Sequence, residues 1–204
     1  MAKNRYILTD IDWTLFYANS TFDFLSYVTG KPCRSGKWNV LIYKLFGYDM
    51  ARHVAIRQLK GYTREELTHL AEQFYQEYLL PRKIEPVWQR LVTCNNPIIL
   101  VSGTLDVLAE VIAKHMGAKT YYASALEFKN DVCTGRFQDF LLSKREVSVT
   151  YSDFDIVTDN LTDIDLVKKA NKVTIITYAN QPRWQKILPE TIKPEYIEAD
   201  RNRY

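Results

Sequence analysis

The chain has 204 residues, 47% of them hydrophobic and 25% charged, with a net charge of +3. This is too apolar for a disordered chain, large enough for one core plus a modest insert, and too weakly basic to argue for nucleic-acid binding. The three cysteines, Cys33, Cys94 and Cys133, are odd in number and lack C-x-x-C spacing, so they read as small buried hydrophobes and not as a disulfide framework or zinc site. No apolar run reaches the ~18 residues of a membrane span. The N-terminus runs straight into a strand with no signal-peptide pattern, so a cytoplasmic protein is expected.

In chain order, apolar strand-like runs fall at about 6–9, 97–101, 119–123, 154–158 and 173–177. Helical stretches separate most of them, which predicts βαβ units around a parallel sheet. The interval from 17 to 92 is too long for one crossover and is helical in pattern. Phe22, Phe24, Leu25 and Val28 come first, then apolar residues over 38–46 and 50–59. Thr63 and Glu66 then form a capping box ahead of Leu67, Leu70, Ala71, Phe74 and Tyr78, and Pro81 is expected to end that run. After the second strand, Thr104 is expected to cap a helix striped by Leu105, Leu108, Ile112 and Met116 and stopped by Gly117. Asn130-Asp131 predicts a hairpin turn. The predicted division is an α/β core, residues 1–16 and 93–204, with a helical insert over 17–92.

Polar residues gather where these strands end. Asp10 and Asp12 follow the first strand, and the C-terminal edge of an open α/β sheet is where ligands bind. Two carboxylates that close repel, and a hard cation such as Mg²⁺ relieves the repulsion. Ser102-Gly103 ends the second strand, a pattern suited to phosphate because free backbone N–H groups point outward there. Asp159 and Asp163 follow the fourth run, and Asp159 completes a three-carboxylate pocket with Asp10 and Asp12. Lys144 lies between these motifs, placed to neutralise a phosphate and its nucleophile; a solvated surface lysine is the competing reading.

This ordered set, Asp10-x-Asp12-x-Thr14, Ser102-Gly103, Lys144 and Asp159-x-x-x-Asp163, resembles the haloacid dehalogenase (HAD) superfamily. The helical insert resembles the cap of its phosphoserine phosphatase-like subgroup. The resemblance implies a Rossmann-like parallel sheet with an inserted helical cap, and a Mg²⁺-dependent phosphomonoesterase acting on a small phosphorylated metabolite. It implies Asp10 as nucleophile, through an aspartyl-phosphate, and Asp12 as general acid and then base. Asp10, Asp159 and the main-chain carbonyl of Asp12 would hold the metal. Ser102, Gly103 and Lys144 would hold phosphoryl oxygens, Thr14 would brace the loop, and Asp163 would support the metal or Lys144. Motif order favours Lys144 over Lys129 and Lys168. Two departures stand out: Trp13 replaces the family's usual glycine, and the short interval from Lys144 to Asp159 implies a reduced helix.

Other functions on these residues are a phosphotransferase or mutase, a phospho-accepting receiver domain, and a HAD-like binder without catalysis. The receiver reading is disfavoured because receivers place their acidic pair and phospho-accepting Asp on separate strands and lack a long insert. Within the insert, Asp23, Arg52, His53, Arg57 and Lys60 are candidates to read the substrate, with Arg57 placed to grip a carboxylate or second phosphate. Trp38, Leu41, Ile42, Leu45 and Phe46 are expected to pack the insert's own core. The sequence does not set the oligomeric state.

Overall fold

The structure, a computed structural model, describes residues 5–33, 50–140, 144–178 and 181–200. The strands are β1 (Tyr6–Thr9), β2 (Ile98–Leu105), β3 (Thr120–Lys129), β4 (Val132–Gln138), β5 (Phe154–Thr158), β6 (Val173–Thr177) and β7 (Glu195–Glu198). They form one seven-stranded sheet in the order β4-β3-β2-β1-β5-β6-β7. All neighbours are parallel except the β3–β4 hairpin. That hairpin turns at Asn130 and Asp131, both left-handed with φ 49° and 65°, as the Asn-Asp pair predicts.

Side chains alternate across the sheet and build two cores. Ile7, Leu100, Val157 and Ile176 point to one face, and Leu8, Ile99, Val101, Ile156 and Ile175 to the other. The first face is covered by α1 (Ser20–Thr29), α2 (Met50–Ile56), α3 (Arg64–Phe74) and α4 (Glu85–Val92), together with α5 (Asp106–Met116). The second is covered by shorter elements, α6 (Val147–Thr150), α7 (Ile164–Val167) and α8 (Gln181–Ile187), which contribute Val147, Leu166, Val167 and Trp184. The four-residue α6, entered through a single 3₁₀ turn at Lys144–Glu146, is the reduced helix implied by the short spacing.

Several expectations shift. β2 runs on to Leu105 through an irregularity after Val101, so Thr104 is a strand residue and not a cap. Its hydroxyl is drawn into a buried contact with the Ser20 hydroxyl at 2.5 Å, and Leu105 begins α5 without a side-chain cap. The stripe of Leu108, Ile112 and Met116 is buried, and Gly117 ends the helix at φ 71°. The Thr63–Glu66 capping box is present. Beyond α3, however, the chain stays helical through a π segment, Tyr75–Leu79, and a 3₁₀ turn, Leu80–Arg82, in which Pro81 is tolerated near the N-terminus. β7 was not anticipated, because Glu195 and Glu198 give an edge strand a polar signature. The expected apolar core over 38–46 lies outside the described residues.

The segment between β1 and β2 is sewn to the hairpin by main-chain bonds. Gly61 N–H donates to the Cys133 carbonyl (3.0 Å), Cys133 N–H to the Tyr62 carbonyl (2.8 Å) and Arg64 N–H to the Asp131 carbonyl (3.1 Å). Gly135 completes the seam: a Cβ there would lie 3.1 Å from the Arg57 main chain.

Candidate active site

β1 is central, flanked by β2 on one side and β5 on the other, so the chain reverses its winding there. Such a switch point opens a crevice beyond the strand ends. Thr9 is in register with Leu100 and Val157, which brings Asp10, Ser102-Gly103 and Asp159 to one edge. A cavity of about 210 Å³ opens there, lined by Asp10, Asp12, Trp13, Arg52, Ser102, Gly103, Lys144 and Asp159 among others.

Lys144 is buried and bridges two carboxylates: its Nζ donates to Asp10 Oδ2 and to Asp163 Oδ1, each at 3.1 Å. The surface-lysine reading therefore falls. Burial alone would push this ammonium down, but the Asp10 and Asp163 charges outweigh it and hold Lys144 above the usual lysine range. The Thr158 hydroxyl donates to Asp163 Oδ2 (2.7 Å), fixing the second carboxylate. The Ile11 N–H donates to Asp10 Oδ1 (2.8 Å), fixing the first. Asp163 thus lies behind Lys144 and orients it.

Asp12 turns toward α1. Its Oδ1 accepts from the Ser20 N–H at 2.8 Å, the first helical residue, where the positive end of the helix dipole lies. Asn19 caps that helix by accepting from Phe22 N–H, and Asp23 Oδ2 accepts from Asn19 N–H, so Asp23 serves the cap of α1. Burial pushes the Asp12 carboxyl up to about 7, opposed by the Ser20 bond and reinforced by Asp10 and Asp23. Asp159 is pushed up to about 8 by burial first and then by the Asp10 charge, with Thr14 opposing. The Thr14 hydroxyl donates to Asp159 Oδ1 (3.1 Å) and accepts from Asp159 N–H (3.0 Å), tying the loop after β1 to the end of β5.

Among the described residues no three acidic, His or Cys side chains converge as a ready metal cage. With the Asp12 carboxyl taken up by α1, the side chains available to a cation are Asp10 and Asp159. Their mutual repulsion and all-oxygen chemistry fit a hard ion that keeps part of its water shell, as Mg²⁺ does.

From the segment between β1 and β2, the structure brings Arg52, Asn19, Thr21 and Phe22 to the cavity, but not Arg57. Arg57 is exposed; five residues on from Arg52, it lies about 140° further round a helix. The Arg52 guanidinium is buried, pairs with Asp139 Oδ1 at 2.8 Å, donates to the Gly103 carbonyl and lies 4.9 Å from the Phe137 ring centre. Ser124 Oγ donates to the same carbonyl at 3.1 Å. Sequence reasoning missed Asp139 and Ser124, and the one available signal was Arg52 itself, an arginine on the apolar side of a helix. His53 lies against Phe137 with the ring planes tilted by 46°, and Lys60 lines a separate cleft beside the hairpin.

Carboxylates and a buried lysine at the switch point of a mostly parallel sheet define an α/β enzyme of the open-sheet class. The family model for haloacid dehalogenase-like hydrolase matches residues 7–151, and the chain belongs to that family. Solved structures share the fold. A protein of unknown function from Bordetella pertussis Tohama I superposes with a TM-score of 0.73 at 17% identity, covering 95% of this chain and 99% of that one. A HAD family hydrolase from Salmonella enterica subsp. enterica serovar Typhi gives 0.63 at 15%, covering 95% and 67%. A phospho-aspartyl intermediate analogue of phosphoserine phosphatase gives 0.61 at 18%, covering 97% and 95%. No curated protein sequence matches this chain. No helix among the described residues is long and apolar enough to cross a membrane.

Proposed function

We propose that this protein is a Mg²⁺-dependent phosphomonoesterase that hydrolyses a small phosphorylated metabolite of the cytoplasm through an aspartyl-phosphate on Asp10. The observation that carries this reading is the buried Asp10–Lys144–Asp163 bridge beside Asp12, whose carboxyl is raised to about 7. A raised carboxyl can hold a proton near neutrality and give it up afterwards, as a general acid that turns base must. Asp10 attacks phosphorus and the ester oxygen leaves with the Asp12 proton. Asp12 then takes a proton from the water that cleaves the acyl phosphate. Lys144, the Ser102 hydroxyl and the Gly103 main chain face the equatorial oxygens, where charge must be compensated. Mg²⁺, held by Asp10, Asp159 and the Asp12 main chain, would supply further positive charge to those oxygens. The intermediate analogue known for a structural relative supports the choice of nucleophile. Residues 17–92 act as a cap, since Phe22 and Arg52 from that segment line the cavity.

The test is the stereochemical course at phosphorus, read with a thiophosphate ester made chiral by oxygen isotopes and hydrolysed in isotopically labelled water with Mg²⁺. Two in-line displacements, by Asp10 and then by water, should give net retention, and rapidly acid-quenched protein should carry phosphate on the peptide that holds Asp10. Net inversion would mean direct attack by water and would overturn the covalent route.

A further inference from the structure

Trp13 adopts a left-handed backbone, φ 56°, at the mouth of the cavity. For a bulky residue this conformation costs on the order of 1 kcal/mol or more and persists only where its surroundings impose it. Here they do. The Trp13 N–H donates to the Phe16 carbonyl at 2.9 Å, and the Tyr178 hydroxyl donates to the Trp13 carbonyl at 2.6 Å. The indole meets the Tyr178 ring edge-on at 5.9 Å, and Tyr178 is buttressed by Tyr17 at 6.4 Å. A tryptophan is thus held by two hydrogen bonds and an aromatic cluster where a glycine would sit without strain.

Its position gives it a task. Trp13 directly follows Asp12 and lines the same cavity as that residue, so an ester whose departing oxygen takes the Asp12 proton meets Trp13 within that cavity. Phe22 on α1 lines the same cavity. Of the two cations that line the cavity, Arg52 has its charge met by Asp139 and donates to the Gly103 carbonyl, and Lys144 is bridged between Asp10 and Asp163. A rigid indole and a phenyl ring favour a flat, uncharged surface over an ammonium–carboxylate head.

Resting on the phosphatase reading above, the geometry points to Trp13 as a specificity-determining residue and to a substrate class: phosphate esters of uncharged alcohols that present a flat ring face. That face is either aromatic or the hydrogen-bearing side of a sugar ring.

The experiment compares kcat/KM for benzyl phosphate, glucose 6-phosphate, O-phosphoserine and phosphoethanolamine, on wild type and on Trp13→Ala, Trp13→Gly and Trp13→Phe. All four are esters of primary alcohols, so the chemical demand on Asp12 is similar. The wild type should prefer one or both ring esters, and which one identifies the source of the ring. In Trp13→Ala and Trp13→Gly the ratio of ring to charged ester should fall about ten-fold, and Trp13→Phe should restore most of it. Glycine suits the left-handed backbone, so that variant guards against loss of the fold. Titration of benzylphosphonate against methylphosphonate should show the same ring-dependent loss in binding, with no turnover involved. A wild type that prefers phosphoserine, or variants that lose all four esters in equal proportion, would overturn the assignment while leaving the phosphatase reading in place. A wild type that releases phosphate from none of them would defeat the phosphatase reading itself, and this inference with it.

Discussion

The charged side of the cavity, at Asp10 and Lys144, and its aromatic side, at Trp13 and Phe22, are held by different forces. At the first, Asp10, Lys144 and Asp163 form a line of buried charges, each bonded to the next and ended by the Thr158 hydroxyl on Asp163. At the second, Trp13 and Phe22 present rings, held by Tyr178 and by the start of α1. A charged network tolerates almost no substitution, because removing one member leaves another buried and unpaired. An aromatic wall can be exchanged for another shape while the chemistry beside it persists. On the reading proposed above, the contrast separates the residues that carry the chemistry from those that select the substrate.

The largest expected effect is at the charged end. Asp10→Asn keeps the shape and leaves Lys144 its bond to Asp163, so the fold should survive. Turnover should fall by on the order of 10⁴-fold or more, because an amide is a poor nucleophile. Phosphate release together with a thermal unfolding curve measures both. Asp12→Asn should cost about 10² to 10⁴ in rate with an alkyl ester, and less in the first step with 4-nitrophenyl phosphate, whose leaving group needs no proton. Equal losses on both esters would remove Asp12 from the acid's role.

Lys144→Met should cost about 10² to 10³ in turnover. It should also destabilise the protein by about 3–5 kcal/mol, because Asp10 and Asp163 are left buried against each other. Urea unfolding of wild type and variant reads this, and a variant as stable as wild type would show that the bridge does not hold these carboxylates.

A subtler effect is on pH. In the folded protein the Asp12 and Asp159 carboxyls are raised to about 7 and about 8, against about 3.9 in an unfolded chain. A raised carboxyl favours the native state only while protonated, so its contribution is complete below the unfolded value and fades as pH climbs through the folded one. In EDTA, the unfolding midpoint should decline from about pH 4 to about pH 8. Mg²⁺ should raise it more at pH 8 than at pH 5, and a Mg²⁺ effect independent of pH would show that the cation is not offsetting these two groups. The smallest expected change is the shift in ester preference at Trp13, which perturbs the aromatic end alone.

The two ends also differ in how much of them could be read from the chain. Charges announce themselves: Asp10 and Asp12 after an apolar run, and Lys144 in the right order, could be expected to converge because buried ionic groups need partners and few are within reach. The α/β class, the capping box at Thr63 and the turn at Asn130 were legible for the same local reasons. The aromatic end was not. The place of Arg52 on the apolar side of α2 is only a faint signal beside Arg57; what draws Arg52 inward is distant in sequence, Asp139 just beyond the hairpin and the Gly103 carbonyl on β2. Thr104 has the composition of a cap, yet a buried contact with Ser20 keeps it in the strand. The left-handed turn at Trp13 runs against that residue's own preference and is imposed by Tyr178, 165 residues away.

The seam between Gly61, Tyr62 and Arg64 and the strand at Asp131 and Cys133 bears on how freely the insert could be exchanged. Those main-chain bonds cover the outer edge of β4, the last strand on its side of the sheet. Excising residues 17–92, or grafting in a helical segment of another shape, would bare that edge and offer unpaired N–H and C=O groups to a second molecule. The insert is therefore also the guard of a strand edge. A transplanted replacement would have to bring its own strip of backbone to the hairpin, or the chimera would pair with itself and aggregate.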